Sequence, residues 1–226
     1  MKDIDIREVL FDYLDETYGR IRILEEKVIY GSRADAIGII EDLIIGFEIK
    51  SDSDSYQRLR SQIKDYEKYC DKCYLVVGKK HEIHAKEHVP SYWGIIVADE
   101  NGVTLQREAL ECPKVKIKYQ LDMLWRREID DMVLSLSYPA YKSYSKAKVM
   151  ERILEKTDKA VLKHLITEIL FDRDYTIFDE DKADKKYRKT RTGITVKSIK
   201  KRRKEPNLRV SKVVRKKKRK VSRKNT

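Results

Sequence analysis

Five short runs of β-branched and aliphatic residues, IRILEEKVIY, RADAIGII, LIIGFEIK, CYLVVG and YWGIIVAD, crowd into positions 21–99 and constrain the fold more than anything else in the chain. Runs of this length, rich in Val, Ile and Tyr and broken by turn-like residues, read as β-strands. The first three follow each other directly, which predicts a meander with a turn near Glu41-Asp42. The last two are apolar almost throughout, as strands covered on both faces of a sheet are. Between them, Ser55–Tyr69 places Tyr56, Leu59, Ile63 and Tyr66 on one helical stripe, with Asp54 or Ser55 available as N-cap. A short helix is expected at HEIHAKEH, and VTLQREA should form a hairpin across Asn101-Gly102.

Helices bracket this region. Residues 2–18 carry Ile6, Val9, Leu10, Tyr13 and Leu14 at helical spacing, with Gly19 as the stop. After Pro113, LDMLWRREIDDMVL, YSKAKVMERILEK and AVLKHLITEILF predict three amphipathic helices with few strand formers. Alternating strands and helices imply an α/β fold, a mixed sheet flanked by helices. The expected organisation is a sheet domain over 1–112, a small helical module over 113–181 and a basic tail over 182–226.

The charge is divided as sharply as the hydropathy. The chain is +13 overall, but residues 182–226 hold 22 Lys and Arg against Asp184 and Glu205, a net of +20, which leaves −7 for residues 1–181. The tail, with its KKRRK and RKKKRK blocks, has no periodic apolar face and is expected to be disordered. Its cations, Lys200, Lys201, Arg202, Arg203, Arg215, Lys216, Lys217, Lys218 and Arg219, suit nucleic-acid phosphates, whose condensed counterions they would release. RKKKRK also has the composition of a nuclear import signal. No apolar run is long enough to span a bilayer and the N-terminus lacks the layout of a signal peptide, so a cytoplasmic, nucleic-acid-associated protein without membrane contact is expected. Three cysteines in such a chain argue for free thiols. Cys70 and Cys73 form a C-x-x-C followed by His81, His84 and His88, yet Cys73 opens an apolar strand where a small buried residue belongs, so zinc and redox readings are set aside.

One set of residues carries chemistry. Asp35 lies on the second predicted strand, and Glu48-Ile49-Lys50 ends the third. Residues two apart on a strand share a face, so Glu48 and Lys50 project together while Phe47 and Ile49 enter the opposite core. If the two strands are antiparallel neighbours, Asp35 stands beside Glu48, and two carboxylates meet one ammonium. Such a set suits Mg²⁺ or Mn²⁺ held by Asp35 and Glu48, with Lys50 orienting a water or stabilising charge on phosphorus. Glu26 is a further candidate ligand, with Glu25 its rival. On the following helix Arg58, Gln62 and Tyr66, spaced i, i+4 and i+8, share a face, and Arg58 is placed to meet a DNA backbone.

Asp35 in SRADA, the segment GFEIKS, and QRLRSQIKDY with Gln62 and Tyr66 together resemble the PD-(D/E)XK phosphodiesterase superfamily, in the RecB-type branch with a Gln-x-x-x-Tyr element. Ala34 stands where that motif's proline would be. WGIIVAD after a proline, LWRRE at 124–128 and SKAKVMERIL at 145–154 are similar to the MmcB-like group, so the resemblance spans roughly residues 5–175. It implies a restriction-endonuclease-like fold in which Asp35 and Glu48 bind metal, Lys50 is catalytic, and Gln62 and Tyr66 shape the site. The 120–175 helices resemble a SAP-like module. The expectation is a metal-dependent DNA nuclease of repair, recombination, phage or defence processes, with cutting of RNA left open. The alternatives are a non-catalytic nucleic-acid-binding protein on the same scaffold and a restriction-type endonuclease, for which no specificity domain is visible. End or internal cutting, sequence preference and oligomeric state stay undetermined.

Overall fold

The computed structural model describes residues 1–175. Its elements run α1 (Asp3–Tyr18), β1 (Arg22–Ile29), β2 (Ser32–Ile40), β3 (Leu43–Lys50), α2 (Leu59–Tyr69), β4 (Lys72–Gly78), α3 (Ala85–His88), β5 (Gly94–Asp99), β6 (Gly102–Arg107), α4 (Ile117–Asp122), α5 (Arg126–Ser135), α6 (Lys146–Lys156) and α7 (Lys159–Asp172). The strands make one open sheet in the order β1-β2-β3-β4-β5-β6. β1, β2 and β3 form an antiparallel meander, β3, β4 and β5 are parallel, and β6 returns antiparallel to β5. The parallel step follows from the connection: α2 carries the chain back so that β4 starts at the same end as β3. The chain is therefore a mixed α/β protein with a six-stranded open sheet flanked by helices, as its run pattern predicts.

Side-chain alternation gives the sheet two apolar faces. One takes α1, whose Ile6, Leu10, Phe11 and Leu14 pack against Ile45, Phe47, Ile49, Tyr74, Val76 and Ile96. Gly19, at φ 65°, ends this helix with its N–H on the Asp15 carbonyl, 3.0 Å away. The other face takes α2 and the C-terminal helices together: Leu59, Ile63 and Tyr66 join Leu121, Ile129, Val133, Val149, Ile153, Leu162 and Ile166 over Leu24, Ile37, Ile39, Ile44, Leu75 and Val97. Residues beyond Pro113 thus share a core with the sheet. The amphipathic faces read in their sequence are the faces that cover it.

Two helix boundaries differ from the sequence reading. α2 begins at Leu59 rather than Ser55, because Asp54 Oδ2 accepts hydrogen bonds from Ser51 N (2.8 Å) and Ser51 Oγ (2.7 Å) and closes a local turn instead of capping the helix. The expected LDMLWRREIDDMVL helix is broken between Asp122 and Arg126, since Glu128 Oε2 accepts from Trp125 N at 2.6 Å and starts a new helix there. The same carboxylate receives Arg173 in a bidentate pair, Nε to Oε1 and Nη2 to Oε2, both 2.6 Å, while Arg173 Nη2 also donates to the Met123 carbonyl at 3.0 Å. That pair ties the end of α7 to the α4–α5 corner. Among the described residues no helix is long and apolar enough to cross a membrane. Lys200, Lys201, Arg202, Arg203, Arg215, Lys216, Lys217, Lys218 and Arg219, and the disorder expected of the basic tail, lie outside the described residues.

Candidate functional site

The β1-β2-β3 ladder loses its regularity at one level. β1 and β2 pair at Glu25↔Ala36 and Lys27↔Ala34 but not between, and Glu26, at φ 55°, sits in the left-handed region that a glutamate rarely adopts. At the same level the β2-β3 ladder stops at Ala36↔Phe47. The Tyr66 hydroxyl fills the gap, accepting from Asp35 N and donating to the Phe47 carbonyl, each at 3.0 Å. With its strand freed from the ladder, Asp35 extends one carboxylate oxygen, Oδ2, to Ile49 N at 2.9 Å. Local irregularity, rather than regular pairing, brings Asp35 to the end of β3.

Tyr66 can serve this way because Gly46 admits it. A Cβ at Gly46 would stand 2.5 Å from the Tyr66 ring, so any larger residue in GFEIK would push the aromatic off the strand. Tyr66 is fully buried, and its hydroxyl is spent on the two strands. It positions Asp35 and does not line the cleft.

Asp35, Glu48, Lys50, Gln62, Arg58 and Glu26 line a common open cleft of 320 Å³ at the end of β3, together with Arg7 and Arg33. Phe47 and Ile49 turn into the opposite core, as the strand alternation requires. Glu48 has no exposed surface; its Oε1 accepts from Lys50 Nζ at 2.5 Å, and its Oε2 is buried with no hydrogen-bond partner among the described residues. Lys50 Nζ also donates to Gln62 Oε1 at 3.3 Å. Burial, and after it the charge of Glu48, pushes the Asp35 carboxyl up to about 7, against the Ile49 N–H, Arg7 and Lys50, which favour its anion. Burial likewise pushes Glu48 up, with Lys50 opposing. Two carboxylates that repel each other, are withdrawn from water and leave one oxygen orphaned make a donor set for a hard divalent cation, which would relieve all three penalties at once.

The sequence reading missed Arg7. Its guanidinium enters from α1, donates to the Asp35 carbonyl at 2.9 Å, and lies 3.7 Å from Asp35 Oδ1 and 3.5 Å from Glu25 Oε2. It also holds Glu26 Oε1 at 3.0 Å, while Arg33 Nε holds Glu26 Oε2 at 2.6 Å. With both oxygens bound to arginine, Glu26 is less available than Asp35 or Glu48, and Glu25 does not line the cleft. A single arginine, buried, on a helix otherwise charged only by acids is a hint of such a role, but nothing in the spacing names its partner. Among the described residues, Glu41, Asp42 and His164 also gather acidic and imidazole groups, but exposed and at the β2–β3 turn, the far end of β3 from the cleft. Cys70, Cys73 and Cys112 are buried free thiols. His84 is exposed and bonded to Glu87.

Comparison with known proteins adds kinship rather than chemistry. A family model described as Bacteriophage P4 protein cII matches residues 5–200. No curated protein matches. Among solved structures, a protein of unknown function from Silicibacter pomeroyi is similar at 19% identity with a TM-score of 0.37, over 62% of this chain and 86% of its own.

Proposed function

The chain belongs to the bacteriophage P4 protein cII family, and within that family we propose that it is a divalent-metal-dependent nuclease hydrolysing phosphodiester bonds of DNA. The observation that carries the reading is the convergence of Asp35, Glu48 and Lys50 on one cleft, with Glu48 Oε2 buried and unpartnered among the described residues. Asp35 and Glu48 would hold Mg²⁺ or Mn²⁺, which when bound polarises the scissile phosphate and acidifies a water. Lys50, whose Nζ donates to Glu48 at 2.5 Å, would stand at the same cleft to stabilise the charge that develops on the phosphate. Gln62 keeps that ammonium at the cleft, and Tyr66 and Arg7 hold Asp35 in place. Arg58, exposed at the rim, meets the DNA backbone. The basic residues of the tail act as a salt-sensitive tether.

A non-catalytic nucleic-acid-binding protein is the second reading, favoured by the Lys50–Glu48 pair, which neutralises Glu48 without any metal. Supercoiled, linear and single-stranded DNA, and single-stranded RNA, incubated with Mn²⁺ or with EDTA separate the two. Cutting that needs Mn²⁺ and falls by about a hundredfold or more in Lys50→Ala is the expected result. Binding without metal-dependent cutting would replace the nuclease reading with the second one.

A further inference from the structure

On the other side of the same edge strand, consecutive with Glu26, Lys27 opens into a second pocket. This pocket, of 590 Å³, lies between β1 and the α4–α5 corner, and its polar and aromatic lining includes Lys27, Tyr30, Asp122, Trp125, Arg126 and Lys146. Its volume is in the range of small-molecule sites. Lys146 is committed to Asp122 (2.8 Å), Arg126 to Asp130 (2.9 Å) and the neighbouring Arg173 to Glu128 (2.6 Å). Lys27 makes no hydrogen bond or ion pair among the described residues, whereas each of these three cations has its own carboxylate. An ammonium half-withdrawn from water, with Arg173 and Lys146 opposing its charge and Glu128, already paired with Arg173, favouring it, is costly to the folded state and is relieved where an anion joins it.

The pocket's rim adds a second element. Tyr30 is 70% exposed; Lys68 Nζ lies over one face of its ring, 4.0 Å from the centroid, so a flat ligand would use the opposite face. Trp125 is held by Arg173, whose guanidinium lies 4.2 Å from its ring centroid. A lysine without an ion pair among the described residues and an exposed tyrosine on the wall of one pocket suit a phosphate with a base stacked beside it. We propose that the Lys27 pocket is a phosphate-binding site for a nucleotide unit of a nucleic-acid strand, lying across β1 from the cleft. Because Glu26 and Lys27 are neighbours on an edge strand, a strand bound there runs past the open side of β1 toward the cleft. The pocket's occupancy is independent of whether the cleft hydrolyses anything.

The test uses the full chain in EDTA, so that no cutting occurs, with calorimetric titration of inorganic phosphate and of thymidine 5′-monophosphate. Wild type should bind the nucleotide, and Lys27→Met should lose about tenfold or more in affinity while Lys27→Arg retains it. Lys27→Met should also melt no lower than wild type, since it removes a cation without a partner, and this separates lost binding from lost folding. Tighter binding of the nucleotide than of phosphate supports a nucleic-acid source, with Tyr30→Ala erasing the difference. Equal affinity for the two, both lost in Lys27→Met, keeps the phosphate site but overturns the nucleic-acid assignment. No binding by wild type, or unchanged binding by Lys27→Met, overturns the proposal. Mn²⁺-dependent cutting by wild type, measured separately, reports on the cleft alone.

Discussion

Replacing Asp35 with asparagine should make this protein more stable and inactive in the same step. Asp35 is pushed up to about 7 from an ordinary 3.8 by burial and by Glu48. Because the folded-state value is raised, the folded form holds the proton more tightly than the unfolded chain, so stability falls as pH rises from about 4 and the full penalty is reached above about 7. At about 1.4 kcal/mol per pH unit, that lift costs about 4 kcal/mol at pH 8. The attraction of Arg7 across 3.7 Å is already contained in that value, and asparagine keeps an acceptor for Ile49 N, so with up to about 2 kcal/mol set against the amide's changed hydrogen bonding a net gain of about 2–4 kcal/mol is expected. For a domain of this size that is a rise in melting temperature of about 5–12 °C. Thermal melts in EDTA at pH 8 measure it. Wild type should gain stability as pH falls from 8 toward 5, and Asp35→Asn should gain distinctly less over that window, keeping only what the raised Glu48 contributes. Mn²⁺ at about a hundred times its dissociation constant should then stabilise wild type by about 2.7 kcal/mol and leave the variant unmoved. A variant that melts below wild type in EDTA, or that responds to Mn²⁺ as wild type does, would refute the account of Asp35 as a strained metal ligand.

Two further outcomes test the frame around the site. Tyr66→Phe strips a partner from Asp35 N and from the Phe47 carbonyl, and should cost about 1–3 kcal/mol in urea unfolding and weaken Mn²⁺ binding; unchanged values would mean that the hydroxyl does not position Asp35. Arg173→Met leaves Glu128 buried without its bidentate partner and should cost about 3–5 kcal/mol, largely recovered by adding Glu128→Leu, with the double-mutant cycle reading the coupling; additive losses would refute the pairing.

Strand number, the meander, the alternation that sends Phe47 and Ile49 one way and Glu48 and Lys50 the other, and the amphipathic faces of the late helices are legible in the sequence because they follow from periodicities of 2 and 3.6 residues, which are local. The pairing of Glu48 with Lys50 on one face of β3, and of Arg58 with Gln62 on one face of a helix, is legible in the same way, whereas the approach of Asp35 to them needs the break in the β2–β3 ladder. What only the tertiary structure decides is contact across distance: Tyr66 wedged between two strands through the space that Gly46 leaves, Arg7 reaching from α1 to Asp35, both oxygens of Glu26 taken up by arginines, and Lys27 without an ion pair among the described residues. Each depends on a third element arriving at a particular height on the sheet, and no spacing along the chain encodes that height. The start of α2 and the break before α5 belong with these, since a single side-chain oxygen, on Asp54 or on Glu128, chose among backbone N–H groups that the sequence offers equally.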